Sequence, residues 1–449
     1  MRTHTLPRLL VAAALAVAVL APLSAAGAEA SPRLGVLLVD HGEPPEYNEL
    51  TYESFRKFFD HLIEMGLIPA WVKLIDSGTV TQDRGCFDCP APSGEPELID
   101  AWLRPQGRAG VYVPASDNAP AHYVVPGGPG LGEPDVFEHV GLTAWQEWEV
   151  MGGRSPNYDQ KLPKKLAVVE RLRERYGDDL PVAIGYGIDP RIDGKRRDVR
   201  VAVEELVDAG AEHLVVAYHG VGFSDVMQTH MLRHEIHEIL DEIAPGVTVS
   251  YTAPLGTTDR YVDAVVAKAL AELRRLPRSA RVAIHLSGHG LPTGKCGDYD
   301  CGADAYHEVA RSLFERTSAA ILDAAARPGL GVFHVYGDGG EGDDDPDDEV
   351  DSPLEALAER QTAGFTHVVD IPYEFDSDSR DTLIVLRSGY GRPEGEWDRR
   401  FESRFRHDGM RVTITNSSFG AGAKTDAYEN VIVAEIERVW SQVAAPDHH

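Results

Sequence analysis

Along this chain, short apolar runs alternate with longer stretches in which apolar residues return at helical intervals. Gly35–Val39, Pro181–Tyr186, His213–Ala217, Thr248–Thr252, Arg281–Leu286, Gly331–Tyr336, Thr366–Ile371 and Val412–Thr415 carry the strand pattern. Tyr52–Met65, Lys164–Tyr176, Arg197–Ala209, Met227–Ile243, Asp259–Arg275, Ala305–Ala326, Leu354–Gly364 and Thr425–Val443 carry the helical one. Apolar runs separated by helices imply parallel sheets covered on both faces. The rhythm runs twice, meeting near residues 245–255. The pattern therefore predicts an α/β fold of two similar Rossmann-like, doubly wound parallel-sheet domains facing a central cleft, at about 31–248 and 249–449. The Pro- and Gly-rich stretch at about 86–150 breaks the rhythm and reads as a long lid or insertion.

Three of the apolar runs end in His-Gly: "GVLLVDHGEP" (35–44), "LVVAYHGVGF" (214–223) and "VAIHLSGHGLP" (282–292). In open parallel sheets ligands bind beyond the carboxyl ends of strands, and a following glycine lets backbone and ligand approach closely. His41, His219 and His289 all occupy that position. Imidazole near neutral pH acts as base or metal ligand, so a shared site of this kind suits proton or metal chemistry.

Other motifs fall short. "GHGLPTGKC" lacks P-loop glycine spacing and has Cys296 where Ser or Thr is required. His230, His234 and His237 in "THMLRHEIHEIL" lack the HExxH order of zinc proteases, which leaves an accessory metal site or a polar helix face. There is no GxSxG elbow, and "FGAGAK" (419–424) is too sparse for a dinucleotide fingerprint.

Composition adds compartment and partners. Arg2 and Arg8, the apolar Leu9–Leu23 and the small residues of "SAAGAEA" read as a secretory signal peptide over residues 1–30, so a secreted or periplasmic protein is expected. No later stretch is long enough to span a membrane. A formal charge of −29 argues against nucleic acid or an anionic membrane surface as partner. Nine of the acidic residues lie in "DGGEGDDDPDDEVD" (338–351), a solvated loop, because Gly340 stands where a calcium loop needs Asp or Asn. Cys86/Cys89 and Cys296/Cys301 form two close pairs; export favours disulfides, with zinc or an iron–sulfur cluster as the alternatives.

Taken in order, several segments resemble the class II tetrapyrrole chelatases, and ferrochelatase in particular, along nearly all of the chain after residue 30. "GVLLVDHGEP" is similar to that family's opening strand and turn, and "MGGRSP" (151–156) to its Gly-Gly-Gly-Ser-Pro segment. "SGHGLP" is similar to its active-site histidine motif, and "GDYD" (297–300) to its Gly-Asp-Pro-Tyr. "FDSDSRDTL" (375–383) resembles its Phe-Val-Ser-Asp-His-Ile-Glu-Thr-Leu signature. The resemblance implies insertion of a divalent metal, Fe2+ or Co2+, into a tetrapyrrole. It implies His289 as catalytic histidine, Asp381 in the place of the catalytic Glu, and Asp378 as the signature Asp. His289 and Asp381, with His41 and His219, are then the expected metal-handling residues.

The departures are Ser379 for the signature histidine, Asp381 for Glu and His41 for Leu. A His-Gly after the first strand is more like the cobalt- and sirohydrochlorin-type members, so metal and macrocycle stay open. The alternative is a non-catalytic exported tetrapyrrole- or metal-binding protein. Two α/β domains around a cleft would also suit a periplasmic solute receptor.

Overall fold

A computed structural model describes residues 32–40, 42–46, 111–113, 122–124, 148, 151–187, 191–192, 195–221, 231–288, 303–336, 353–390, 400–420 and 425–444. The strands in chain order are β1 (Leu34–Asp40), β2 (Val111–Val113), β3 (His122–Val124), β4 (Val182–Tyr186), β5 (Arg191–Ile192), β6 (Lys195–Arg196), β7 (His213–Tyr218) and β8 (Thr248–Tyr251). They continue with β9 (Val282–Gly288), β10 (Leu330–Tyr336), β11 (His367–Pro372), β12 (Ser403–His407) and β13 (Met410–Ile414). The helices are α1 (Asn157–Tyr176), α2 (Val199–Asp208), α3 (Met231–Ile243), α4 (Asp259–Arg274), α5 (Ala303–Ala325), α6 (Pro353–Thr362), α7 (Leu386–Gly389) and α8 (Thr425–Ala444).

The expected α/β architecture is present. One sheet runs β4-β1-β7-β8, all parallel. The other runs β10-β9-β11-β13, again parallel, with β12 added antiparallel at its edge. Numbering each sheet's parallel strands by their order in the chain, both read 2-1-3-4, so the two sheets repeat one topology. In that order the connections diverge between the first and third strands, which is where doubly wound sheets take ligands. The switch points are therefore β1/β7 and β9/β11. β2–β3 and β5–β6 are small antiparallel ribbons outside both sheets.

The central strands β1, β7, β9 and β11 are buried along nearly their whole length because both faces are covered, whereas the edge strands β8, β10 and β12 are partly exposed. Val36 and Leu38 on β1, with Val282, Ile284 and Leu286 on β9, face a shared middle layer built mainly from α1, α4 and α8. The opposite face of the first sheet (Leu37, Val39, Val216) packs on α2 and α3. That of the second (Ala283, Val368, Val412, Ile414) packs on Leu357 of α6 and Leu386 of α7. The last helix, α8, joins the middle layer beside α1 and β7, so the end of the chain returns to the first sheet. β8 extends the first sheet to Tyr251.

Local signals account for the boundaries. Asp198 caps α2 by accepting from the Val201 amide at 2.7 Å, and Thr258 caps α4 by accepting from Tyr261 at 3.2 Å. α1 starts at Asn157, seven residues before the periodic stretch that predicts it, and carries Pro163 inside it. β12 escapes the hydrophobic pattern because it is a polar edge strand. Its signal is the turn that follows, where Asp408 and Gly409 both have positive φ, as a tight hairpin requires. Tyr52–Met65 and most of the insertion at 86–150 lie outside the described residues.

Candidate functional site

Asp40 ends β1 with its side chain buried. It accepts hydrogen bonds from Lys165 Nζ at 2.8 Å and from the Gly42 amide, and pairs with Lys161 Nζ at 3.2 Å. Lys161 also reaches Asp376 Oδ1 at 3.3 Å, in the loop after β11. Lys164 donates to the carbonyl oxygens of Phe419 and Asp376. These lysines stand at i, i+3 and i+4, so the first turns of α1 present them as one face. That face binds the strand-end loops of both sheets together.

Electrostatics divide the three lysines. Burial works against the charge of each. At Lys161 the attraction of Asp376 and Asp40 outweighs it, and the ammonium is held above its ordinary range. At Lys164 burial prevails over Asp376 and Asp378, and at Lys165 over Asp40; both are lowered to about 8.

His219 follows β7 and is buried within this cluster. Nδ1 is hydrogen-bonded to the Tyr428 hydroxyl on α8, and Nε2 is buried without a hydrogen-bond partner. Burial, then Lys165, pushes the imidazole well below its ordinary value, so it is neutral.

A second cluster joins the loop after β1 to the start of an unusual turn. Glu43 is buried and accepts from Ser155 Oγ and, with both carboxyl oxygens, from the Arg380 amide at 3.1 and 3.0 Å. Arg380 caps one turn of π-helix, Asp381–Val385, which runs into α7. Such turns widen the backbone and recur at functional sites. Asp381 is partly exposed, pairs with Arg380 at 3.0 Å, and lies close enough to Glu43 to act on its charge. Burial first, and Asp381 second, raise Glu43 to about 8, which favours its neutral form near pH 7.

Asp378 serves differently. Its Oδ1 accepts from the Ser417 amide at 2.7 Å and hydroxyl at 2.9 Å, and its Oδ2 accepts from Gln160 Nε2 at 2.9 Å. The Asp378 amide donates to Gln160 Oε1 at 2.9 Å. This carboxylate fastens α1 to the segment before α8.

Of the residues singled out from the sequence, His219 and Asp378 fall on the loops that follow strands β7 and β11, and Asp381 opens the π-turn that follows the second of these loops. His41 and His289 lie outside the described residues, as do all four cysteines, His230 and the acidic loop. On α3, His234 pairs with Glu238 at 3.1 Å and His237 Nε2 is 3.3 Å from the Tyr251 hydroxyl, at exposed positions. Among the described residues no three His, Cys, Asp or Glu side chains group as a metal site, and no helix is long and apolar enough to cross a membrane. Periodicity missed Glu43, Asp376 and the α1 lysines. Glu43 carried a signal, as an acidic residue directly after the strand-end His41-Gly42, and Asp376 lay within the segment that resembles the chelatase signature.

The sequence matches no protein-family model and no curated protein. Solved structures similar to it include SirB from Bacillus subtilis with Fe3+, at 12% identity and TM-score 0.37, covering 63% of this chain and 89% of that one. The sirohydrochlorin chelatase SirB from the same species in complex with cobalt is 11% identical at TM-score 0.32, covering 62% and 89%. A multi-domain protein of Deinococcus radiodurans, described as structurally similar to chelatases, is 15% identical at TM-score 0.31, covering 61% of this chain and 50% of that one.

Proposed function

We propose that the protein is an exported, ferrochelatase-like enzyme that inserts Fe2+ or Co2+ into a porphyrin- or sirohydrochlorin-type tetrapyrrole. One observation carries the reading: beyond the strand ends, Glu43 of the loop after β1 holds the amide of Arg380, the residue before Asp381, and Asp381 opens a π-turn. In the sequence His41 stands two residues before Glu43, and His289 directly follows β9. Metal insertion must remove pyrrole protons and deliver a desolvated cation. An imidazole base with an adjacent carboxylate meets both needs.

In this reading His289 accepts the pyrrole proton. Asp381 guides the cation inward or relays the proton outward, and His41 takes part in metal capture. The Asp378 carboxylate, with donors on both oxygens, holds the walls of the site rather than reacting. His219, neutral and bonded to Tyr428, supports the floor.

The test incubates purified protein with metal-free porphyrins and with sirohydrochlorin, each with Fe2+ or Co2+, and follows metallation by absorbance. Absence of metallation for every pairing by folded protein would sink the proposal. The saturated Asp378 gives some support to the second reading, a non-catalytic binder. Tight binding of tetrapyrrole or metal without insertion is the outcome that selects it.

A further inference from the structure

We propose that Asp370 is a positioning residue that ties the end of β9 to the helix following the π-turn, so that two parts of the candidate site hold one register. The roles of those parts rest on the proposed function; the tie itself does not. Asp370 lies on β11 opposite His285 of β9, on the sheet face covered by α6 and α7. It is fully buried, and each carboxylate oxygen has its own partner. Ser287 Oγ donates to Oδ2 at 3.0 Å, and the Tyr390 hydroxyl donates to Oδ1 at 2.9 Å. Ser287 is the penultimate residue of β9, two positions before His289 in the sequence. Tyr390 directly follows α7, the helix into which the Asp381 turn runs. One carboxylate thus joins two segments far apart in the chain.

The tie extends one step further. His285 Nδ1 is 2.9 Å from the Tyr390 oxygen, and the two rings stack with centroids 6.2 Å apart. The phenol has one proton; when Asp370 accepts it, His285 must carry hydrogen on Nδ1 and donate it to Tyr390. Burial, then Arg360, lowers His285 to about 3, so the ring is neutral. The surrounding layer is apolar (Leu386, Val412, Ile414), and a hydrophobic residue would fill it without the cost of a buried carboxylate. A buried charge kept in such a layer is expected where function requires it.

Burial raises Asp370 to about 7, against the opposing pull of its bonds to Ser287 and Tyr390 and of the cations Arg387 and Lys268. The groups facing this network are His285 and Ser287 from β9, Arg387 from α7 and Tyr390 directly after it, Lys268 from α4 and Arg360 from α6. Between its ordinary 3.8 and about 7 the folded protein binds this proton more tightly than the unfolded chain. Its contribution to stability therefore falls as pH rises through that window and is level above it.

The experiment compares the full-length protein with Asp370→Asn and Tyr390→Phe by hydrogen-exchange mass spectrometry and by denaturation as a function of pH. Asparagine offers one acceptor oxygen in place of two. Faster exchange is expected in both variants, at residues 283–288 and 381–390 together. The fall in the wild-type denaturation midpoint as pH rises toward 7 should be reduced in Asp370→Asn. In metallation, kcat of Asp370→Asn should drop on the order of 10-fold, as for slight misplacement of reacting groups, with KM for the tetrapyrrole unchanged. Exchange that is unchanged, or faster in only one of the two segments, would overturn the inference, as would parallel pH-stability curves. A wild-type protein that metallates nothing counts against the proposed function, while exchange and stability still decide the role of Asp370.

Discussion

At the scale of single residues, two carboxylates of one loop have separate work. Asp378 is surrounded by donors, whereas Asp381 is partly exposed and paired with Arg380, whose amide Glu43 holds. Asp381→Asn should therefore lower metallation while leaving the denaturation midpoint nearly unchanged. Asp378→Asn should lower the unfolding free energy by about 1–3 kcal/mol, the cost of leaving buried donors unmet, and the midpoint with it. Equal loss of stability in both would contradict this division. His289→Ala should reduce the rate by ~10²–10⁴-fold with macrocycle binding retained, the usual worth of a positioned base. His41→Ala should mainly raise the metal concentration needed. Near-normal turnover in His289→Ala together with none in His41→Ala would reverse the two roles.

At the scale of elements, α1 is the brace of the site. Its lysine face neutralises Asp40 from the first sheet and Asp376 from the second. Lys161→Met leaves two buried carboxylates without their shared cation, and stability should drop by about 3–5 kcal/mol in chemical denaturation. A loss well under that would mean the cluster is reached by water. β9 depends on a close approach at its end, where a Cβ on Gly288 would come 2.6 Å from the Glu374 carboxylate. Gly288→Ala should therefore displace Glu374 or the strand end and impair turnover more than folding, as activity measured beside thermal unfolding would reveal.

At the scale of the whole molecule, the middle layer packs the two sheets on one shared core, so they should unfold as one cooperative body. Val431, Ile432 and Ile436 of α8 belong to the same core as Val36 of β1 and Ile284 of β9. A chain ending before Thr425 should lose fixed packing in both halves, with near-UV circular dichroism absent and unfolding no longer cooperative. A truncated protein with a single sharp transition would refute that view. The cysteines pose a separate question. If they form disulfides, thiol titration of denatured, unreduced protein should find almost no free thiol. Zinc or a cluster at one equivalent, lost on cysteine replacement, would overturn the expectation.

The alternation of apolar runs and helical stretches was enough to define the parallel α/β architecture, because both-face burial leaves its mark residue by residue in β1, β7, β9 and β11. It also placed His219 at a strand end, since a residue after an apolar run has few other places to go, whereas Asp378 and Asp381 came from the resemblance of their segment to the chelatase signature. Periodicity could not reveal that Glu43 grips the amide of Arg380, that Lys161 and Lys165 on α1 pair with aspartates from both sheets, or that Asp370 spans from Ser287 to Tyr390. Those contacts join residues far apart in sequence, and each partner alone reads as an ordinary polar position. A charged residue's pattern is the same on a wet surface and in a buried pair; only tertiary packing, by removing water, decides which it becomes.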